Sequence, residues 1–322
     1  MSKLYMGFDV GSVSTNVALV DQTGEVVYTL YKRTQGAPIR TIKAALKEVA
    51  TEFGEAKIAG VGSTGSGRSL AAVMLGADLV KNEITAHAVA AGHICPGVNT
   101  VLEIGGQDSK LIILQHGVVT DFAMNSVCAA GTGSFLDQQA ARLGIPIEEF
   151  GDLAEQSQNP VRIAGRCSVF AESDMIHKQQ MGNDIADIVA GLCAALVRNY
   201  LNNLGKGKIL KAPVVFQGGV AANKGIKKAF EDALGVEVMV PQHHGVMGAV
   251  GSALLARAHV ADKPSRFLGF GISELEYASR SFECADCPNN CEVVELTCDQ
   301  EVVARWGDKC GKWSSETSAR TG

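Results

Sequence analysis

The sequence has no long hydrophobic run and no excess of positive charge. Its longest apolar stretches, such as residues 188–197, are far shorter than the roughly 20 residues that cross a bilayer. The N-terminus MSKLYMGFDV lacks the basic and apolar regions of a secretory signal. Lysine and arginine number 29 against 34 aspartate and glutamate, so nothing favours a nucleic-acid surface. We expect a cytoplasmic protein that binds neither membrane nor nucleic acid.

Glycine and cysteine are the residue types that stand out. The chain of 322 residues is long enough for two or three domains, and 36 of its residues are glycine. Many glycines form tight clusters, which suggests backbone pressed against a ligand. The nine cysteines are an odd number in a chain without an export signal. Metal or redox chemistry is therefore favoured over disulfide bonds.

Strand-like and helical patterns alternate over the first 260 residues, which predicts an α/β architecture. The predicted strands are residues 4–9, 17–20, 25–31, 57–63, 101–104, 111–114 and 118–124. The predicted helices are residues 39–53, 132–143, 168–180, 184–204, 224–234 and 244–261.

One internal repeat decides the fold. The hairpin pattern that begins at Asp9 returns at Glu103, with an acidic residue, a glycine turn and a second apolar strand in both copies. A third cluster, residues 214–223, reads as a buried strand, a Gly-Gly turn and a helix. This layout predicts the actin, sugar kinase and heat-shock-70 ATPase fold, with two duplicated domains around a nucleotide cleft. We expect domain I at 1–96, domain II at 97–243, a return helix at 244–261 and a cysteine-rich tail at 262–322.

Four motifs carry a family resemblance over about residues 3–260. They are DVGS at 9–12, EIGGQDSK at 103–110, NSVCAAGTGSF at 125–135 and GRCSVF at 165–170. With them the chain resembles the BadF/BadG/BcrA/BcrD ATPase family. Within that family it is similar to activators of 2-hydroxyacyl-CoA dehydratases and to reductases of double-cubane cluster proteins.

The glycine turns predict a site for ATP or ADP with Mg²⁺, since phosphates need backbone N–H donors and the metal needs carboxylates. Asp9 and Glu103 would face the Mg²⁺, and Gln107 and Asp108 would position the attacking water. Asn16 replaces a lysine that is frequent in related activators, and Lys110 takes the matching place in the second hairpin. The predicted nucleotide contacts are Gly11, Ser12, Ser14, Thr15, Gly105, Gly106, Gly131, Gly133, Gly218, Gly219 and Asn223.

A second glycine-rich segment, residues 62–67, is not a Walker A loop, because Arg68 follows where that motif needs lysine. A structural turn and a ligand contact are equally good interpretations of it.

Cys128 and Cys167 each precede a predicted helix, where free N–H groups favour a thiolate. Two thiolates are too few for a [4Fe-4S] cluster, which takes four. The family resemblance implies one such cluster shared across a homodimer, ligated by both cysteines of each chain. The alternative is a pair of buried core cysteines.

Five cysteines lie within the tail, at 284, 287, 291, 298 and 310. This spacing predicts a Zn²⁺ site or an Fe–S site that helps a short tail to fold. We expect Cys284, Cys287, Cys291 and Cys310 to be the ligands. Cys298 lies in an apolar-alternating strand, 293–303, and is expected to stay free. An unmetallated tail is the alternative. His243 and His244 are interpreted as cleft-edge or capping residues rather than ligands.

The resemblance implies an ATP-driven protein that passes one electron from reduced ferredoxin or flavodoxin to a partner iron–sulfur enzyme. That acceptor would be a double-cubane cluster protein or a 2-hydroxyacyl-CoA dehydratase, and the tail favours the former. A small-molecule kinase of the same fold is the main alternative, although no substrate-activating carboxylate stands out beyond Asp108. A chaperone-type ATPase is disfavoured because no separate substrate-binding β-domain follows the core.

Overall fold

The computed structural model describes residues 3–261 and 263–314. The chain divides into two compact units, Met1–Glu83 with Gly248–Gly322, and Ile84–Met247. We call them unit 1 and unit 2. The sequence placed the first boundary after residue 96, whereas the structure groups the helix of residues 83–94 with unit 2. The reason is packing: Ala88 and Ala91 of that helix lie against Val101 and Val215 of the unit 2 sheet.

Each unit contains a five-stranded sheet, and unit 1 has an additional three-stranded sheet. The strands of unit 1 are β1 (Lys3–Val10), β2 (Ser14–Val20), β3 (Val26–Arg33), β4 (Lys57–Thr64), β5 (Leu79–Val80), β11 (Tyr277–Glu283), β12 (Glu292–Cys298) and β13 (Glu301–Trp306). The strands of unit 2 are β6 (Thr100–Ile104), β7 (Ser109–Gln115), β8 (Val118–Asn125), β9 (Val214–Gln217) and β10 (Val238–Met239).

The six predicted helices are found close to their predicted bounds. The α-helices are α1 (Pro38–Phe53), α2 (Arg68–Leu75), α3 (Glu83–Ile94), α4 (Gly133–Leu143), α5 (Ile147–Glu155), α6 (Ser168–Gln180), α7 (Ile185–Leu204), α8 (Lys224–Leu234) and α9 (Met247–Val260). Sequence patterns missed α2, α3 and α5. Helix α7 is long and apolar enough to cross a membrane, but most of its apolar window is buried within the protein, as in a core helix.

The two large sheets are built alike, as the repeat predicts. Their orders are β3-β2-β1-β4-β5 and β8-β7-β6-β9-β10, and in each the first three strands are antiparallel and the last three parallel. The register is also repeated, because Asp9 lies opposite Asn16 and Glu103 lies opposite Lys110. The duplicated actin-like fold predicted from the sequence is confirmed.

The tail packs onto the core of unit 1 rather than folding separately. Ile272 and Leu296 join the hydrophobic cluster of β1, α1 and α2. Buried Asp78 holds the entry to the tail, accepting hydrogen bonds from Ser265 Oγ (2.6 Å) and Arg266 N (2.7 Å). Hydrophobic contact thus supplies stability to a tail that was expected to have little core and to be helped by a metal.

The strand predicted over residues 293–303 is in fact two strands, β12 and β13. Asp299 and Gln300 both adopt positive φ, at 50° and 70°, and reverse the chain between them. The prediction missed this turn because it contains no glycine.

Glu295 is the buried charge of the small sheet. Its carboxylate is 2% exposed and lies between Arg280 (Nε–Oε1 2.6 Å) and Arg305 (Nε–Oε2 2.7 Å), in one row across the three strands. The hydrogen bond from Arg305 and then that from Arg280 hold the pKa of Glu295 below its ordinary value of 4.5. A depressed carboxylate pKa stabilises the fold above the ordinary value, and this stabilisation disappears as pH falls towards the folded-state pKa.

We therefore expect Glu295→Gln to lower the free energy of unfolding at pH 7, with the deficit shrinking below pH 4.5. Both tryptophans, Trp306 and Trp313, lie in the tail, so urea titrations followed by fluorescence report on this sheet. Glu283→Gln, at an exposed position of β11, is the matched control and should change little. A deficit that stays constant from pH 7 to pH 3 would contradict this account.

Candidate functional site

A carboxylate stands at the end of the central strand of each large sheet, followed by a glycine turn. In unit 1, Asp9 comes before the turn in which Gly11 N donates to Ser14 O at 2.8 Å. In unit 2, Glu103 comes before the turn in which Gly105 N donates to Asp108 O at 3.0 Å. The same hydrogen bond closes both hairpins, so each unit offers a carboxylate beside a tight loop of small residues.

Glycines let the backbone approach each carboxylate closely. Gly65 and Gly218 have φ of 91° and 93°, and both follow the parallel strand next to the carboxylate strand. A Cβ on Gly65 would lie 2.7 Å from Asp9 Oδ1, and one on Gly218 would lie 2.9 Å from Glu103 Oε1. Gly65 is thus the counterpart of Gly218. The sequence analysis left residues 62–67 undecided, although extending the repeat to β4 and β9 identifies the match.

Lys110 neutralises part of the negative charge in unit 2. Its ammonium is 2% exposed and lies 3.1 Å from Glu103 Oε2 and 2.8 Å from Asp108 Oδ2. Two carboxylates and one ammonium leave a net negative charge, which suits a bound cation. The backbone of Lys110 is held by the buried Tyr200 hydroxyl, which donates to Lys110 O at 2.6 Å. Burial raises the pKa of Tyr200 well above its ordinary value, so it remains a neutral donor.

Buried polar atoms without a protein partner surround these carboxylates. Asn16 and Thr64 flank Asp9 on the neighbouring strands, and Gln217 flanks Glu103. Asn16 Oδ1, Thr64 Oγ1 and Gln217 Oε1 are buried and find no hydrogen-bond partner among the described residues, and the same holds for Ser109 Oγ at the start of β7. Buried polar groups normally find a partner, which here would be water or a polar ligand. These strand ends are therefore suited to a hydrated, charged ligand such as Mg²⁺ with phosphate.

The remaining predicted nucleotide contacts differ in accessibility. Ser12 and Gln107 are exposed and Ser14 is half-buried, whereas Thr15 is fully buried with its hydroxyl 3.0 Å from that of Thr34. Thr15 is thus placed to stabilise its hairpin rather than to meet a phosphate.

The Gly218–Gly219 turn is open on one side and braced on the other. A Cβ on Gly219 would meet nothing within 4 Å. Asn223 caps α8 by accepting from Ile226 N at 3.0 Å. His244 Nδ1 lies 3.0 Å from Gly218 O, and Gly218 N donates to His244 O at 2.8 Å. His244 therefore braces this turn, consistent with a capping role.

The two cysteine loops meet at α7 in unit 2. Asn199 of α7 lies with Nδ2 2.6 Å from Gly165 O and 3.9 Å from Cys128 Sγ. Cys167 is the N-cap of α6, as predicted. Cys128 caps only a three-residue 3-10 turn, Ala129–Gly131, and α4 begins at Gly133. Both thiols are half-buried, so the core-cysteine alternative does not describe them.

Helix α4 links the Cys128 loop to the glycine turn of Glu103. Gly133 N donates to Gly105 O at 2.9 Å and Ser134 N to Gly106 O at 2.8 Å. Gly131 and Gly133 were predicted to contact cofactor, but both are buried. A Cβ on Gly131 would lie 2.8 Å from Asn199 Oδ1, and one on Gly133 would lie 3.0 Å from Gly105 O. Both glycines allow close packing between loop, helix and turn, and their contact with a cofactor stays a prediction.

Large apolar side chains lie exposed next to both cysteines. The exposed fractions are 96% for Val127, 66% for Val169 and 69% for Phe170. Exposed apolar side chains of this size are typical of surfaces that bind another protein.

Cys193 is a contrasting thiol in the same unit. It is fully buried on α7, and burial raises its pKa to about 12. It is a core residue that stays protonated.

The predicted tail ligands lie near one end of the small sheet, and Cys298 lies at the other. Cys284 N donates to Cys291 O at 2.8 Å across the hairpin base. Cys284 Sγ accepts from Trp313 Nε1 at 3.3 Å. Within residues 3–261 and 263–314, no group of three or more His, Cys, Asp or Glu side chains is arranged to hold a metal ion. The tail metal therefore stays a prediction.

Comparison with known proteins identifies the family. The model of the BadF/BadG/BcrA/BcrD ATPase family matches residues 6–256. The chain belongs to the BadF/BadG/BcrA/BcrD ATPase family. The family predicted from the sequence motifs is thus confirmed, and its match ends before the cysteine-rich tail.

Two curated relatives are similar over most of this chain. One is the (R)-2-hydroxyglutaryl-CoA dehydratase activating ATPase of Acidaminococcus fermentans, 36% identical over 80% of this chain and 98% of that protein. The other is the 2-hydroxyisocaproyl-CoA dehydratase activator of Clostridioides difficile, 34% identical over 78% of this chain and 94% of that protein.

A solved structure agrees with this assignment. The activator of the 2-hydroxyisocaproyl-CoA dehydratase from Clostridium difficile with bound ADPNP superposes with a TM-score of 0.74 at 32% identity, covering 80% of this chain and 96% of that one. The chain is therefore homologous to activator ATPases of 2-hydroxyacyl-CoA dehydratases.

The charge cluster around Lys110 leads to a prediction about stability. Lys110→Met leaves the buried Glu103 carboxylate and Asp108 without their shared cation. We expect the free energy of unfolding to fall by about 3 kcal/mol, typical of breaking a buried ion pair. Urea unfolding at pH 7 measures this change.

Lys224→Met is the matched control, because Lys224 pairs with Asp152 at an exposed position of the same unit. That variant should unfold almost like the unmodified protein. Equal effects of the two substitutions would show that the buried triad is not a stabilising feature.

Proposed function

We propose that the chain is an ATP-driven one-electron transfer protein that activates a partner iron–sulfur enzyme. The observation that carries this proposal is the pair of half-buried cysteines whose loops both contact Asn199 and carry exposed apolar side chains. The protein would act in the cytoplasm, and all nine of its cysteines are free thiols.

On the nucleotide side, the carboxylates of Asp9 in unit 1 and of Glu103 in unit 2 would each suit the water shell of Mg²⁺ bound with ATP or ADP. The unpaired polar atoms beside both carboxylates support this role, since they would complete their hydrogen bonds with that water. Backbone N–H groups of Gly106 and Gly219 would approach the nucleotide, whereas that of Gly11 closes its hairpin by donating to Ser14 O. Gln107, exposed on its turn, would position the attacking water, and Asp108, paired with Lys110, would orient it.

On the redox side, Cys128 and Cys167 fit a [4Fe-4S] cluster shared by two copies of this chain. The donor set is two thiols per chain, held by loops that one side chain joins, and a twofold dimer supplies the four that a cluster takes. The apolar residues beside the thiols would be covered by the second copy. When bound, the cluster would supply a carrier for a single low-potential electron.

The hydrogen bonds that would link the nucleotide site to the cysteine loops lie in unit 2. The carbonyls of Gly105 and Gly106 accept hydrogen bonds from the first residues of α4, which follows the Cys128 loop. A nucleotide that moves the Glu103 turn would therefore pull on α4 directly. Such a change does work only if ATP binds one arrangement more tightly than the other.

The partners follow from the same proposal. Reduced ferredoxin or flavodoxin would be the donor. The acceptor would be a 2-hydroxyacyl-CoA dehydratase or a double-cubane cluster protein, and the similarity to dehydratase activators supports an acceptor enzyme of this kind.

The cysteine pair gives a direct test. Protein purified without oxygen should be brown, and Cys128→Ala or Cys167→Ala should remove the broad visible absorption and most of the iron. Each loses one thiolate per chain, so two of four ligands are missing in a dimer. Iron analysis and absorption spectra measure the loss, and ATP binding should persist.

Cys193→Ala is the control, because that buried thiol has no part in the site. It should keep colour and iron. A colourless anaerobic preparation that phosphorylates a small metabolite would overturn the proposal in favour of the kinase alternative.

We also propose that Cys284, Cys287, Cys291 and Cys310 bind Zn²⁺, or an Fe–S centre, at one end of the small sheet. Support comes from the hairpin that places Cys284 opposite Cys291 and from Gly307, which packs against Glu292 O and leads the chain back towards Cys310. The thiols would have to turn towards a common point as metal binds.

Metal content separates this site from the cluster. In a Cys128→Ala, Cys167→Ala background, Cys284→Ala should lose the remaining bound metal and lower the stability of the tail, because three thiols hold Zn²⁺ less well than four. Cys298→Ala, at the far end of β12, should retain the metal. Background protein free of zinc and iron after purification would refute the tail site.

A further inference from the structure

Helix α7 buries an asparagine near its C-terminal end, directly after the exposed Arg198. Asn199 is 3% exposed and lies between Val197 and Tyr200, which are both fully buried. Asparagine is a weak helix former, and a buried amide costs free energy unless its hydrogen bonds are made. A residue with these costs at this place is expected to have a specific task.

The contacts of Asn199 join two loops that are far apart in sequence. Its Nδ2 donates to Gly165 O at 2.6 Å, two residues before Cys167, and lies 3.9 Å from Cys128 Sγ. Its Oδ1 accepts from Asn203 Nδ2 at 3.0 Å, one helical turn along α7. One amide group thus contacts both cysteine-bearing loops.

Both cysteine loops pack tightly against α7. A Cβ on Gly165 would lie 2.8 Å from Ala195 O, and one on Gly131 would lie 2.8 Å from Asn199 Oδ1. The Cys128 peptide is also clamped, because Asn125 accepts from Cys128 N at 2.9 Å and donates to Cys128 O at 2.8 Å. Helix α7 is therefore a fixed platform for both loops.

We infer that Asn199 is a positioning residue that holds Cys128 and Cys167 at one spacing and directs an N–H group at the Cys128 sulfur. The inference rests on the proposed function, because it concerns the group that the two thiols would hold. Hydrogen bonds to ligand sulfurs favour the reduced, more negative state of a cluster and so raise its reduction potential.

The test uses two substitutions on the full-length protein. Asn199→Leu keeps the approximate shape and removes both polar atoms, and Asn199→Asp keeps the shape and removes the N–H donors. Both should shift the cluster potential to more negative values and speed the loss of iron to a chelator several-fold. Redox titration followed by electron paramagnetic resonance measures the potential, and ATP binding reports that unit 2 is folded.

Asn202→Asp is the matched control, since it adds the same charge at an exposed position of the same helix. It should leave potential and iron retention unchanged. Unchanged values in Asn199→Leu would overturn the inference while leaving the proposed function standing. Misfolding of both Asn199 variants would assign the residue a structural role only and also overturn it. Unmodified protein that binds no cluster would overturn the proposed function itself.

Discussion

The structure depends on one constraint, the close approach of backbone to a carboxylate at the end of each central strand. Only glycine at residues 65 and 218 lets the neighbouring turn pass within contact of Asp9 and Glu103, because any Cβ there would overlap backbone carbonyls. The approach leaves the carboxylates among small residues and unpaired polar atoms rather than among large side chains. Such an environment has room for a hydrated ion and phosphate. It also explains why glycine is concentrated in these segments.

Duplication provides that constraint twice, but the two copies have diverged in charge. Position 110 is a buried lysine between two carboxylates, whereas the matching position 16 is an asparagine whose Oδ1 has no protein partner. An amide cannot neutralise a carboxylate. Unit 2 is thus the half in which a buried cation offsets part of the carboxylate charge, and it is also the half that carries Cys128 and Cys167. This difference in charge is consistent with different functions for the two copies of the repeat.

The fold and much of the site could be predicted because their signals are local. An acidic residue, a glycine turn and a returning apolar strand occupy consecutive positions, so the match between Asp9 and Glu103 predicts even the register. The cysteine motifs are local in the same way. Residues that act through distant partners gave no such signal. In the sequence, Asn199 is one of several polar residues near the C-terminal end of α7, and it stands out only when Gly165 and Cys128 are placed beside it. The packing of the tail was not predicted for a related reason. Ile272 and Leu296 contact α1 and α2, which are far away in the sequence.

Helix α7 contacts the core of unit 2, the charge cluster around Lys110 and the cysteine loops. Its apolar face makes the core of unit 2, where Leu192, Leu196 and Tyr200 pack together. Tyr200 reaches the backbone of Lys110, and Asn199, its neighbour, reaches the cysteine loops on another side of the same helix. A core helix of this kind keeps the charge cluster and the thiols in register. Helix α4 is hydrogen-bonded to the Gly105–Gly106 turn by its first residues, and Phe135, Leu136 and Ala140 pack it into the same core. If nucleotide chemistry alters the cysteine surface, α4 is the element that connects the two, because it joins the glycine turn to the Cys128 loop.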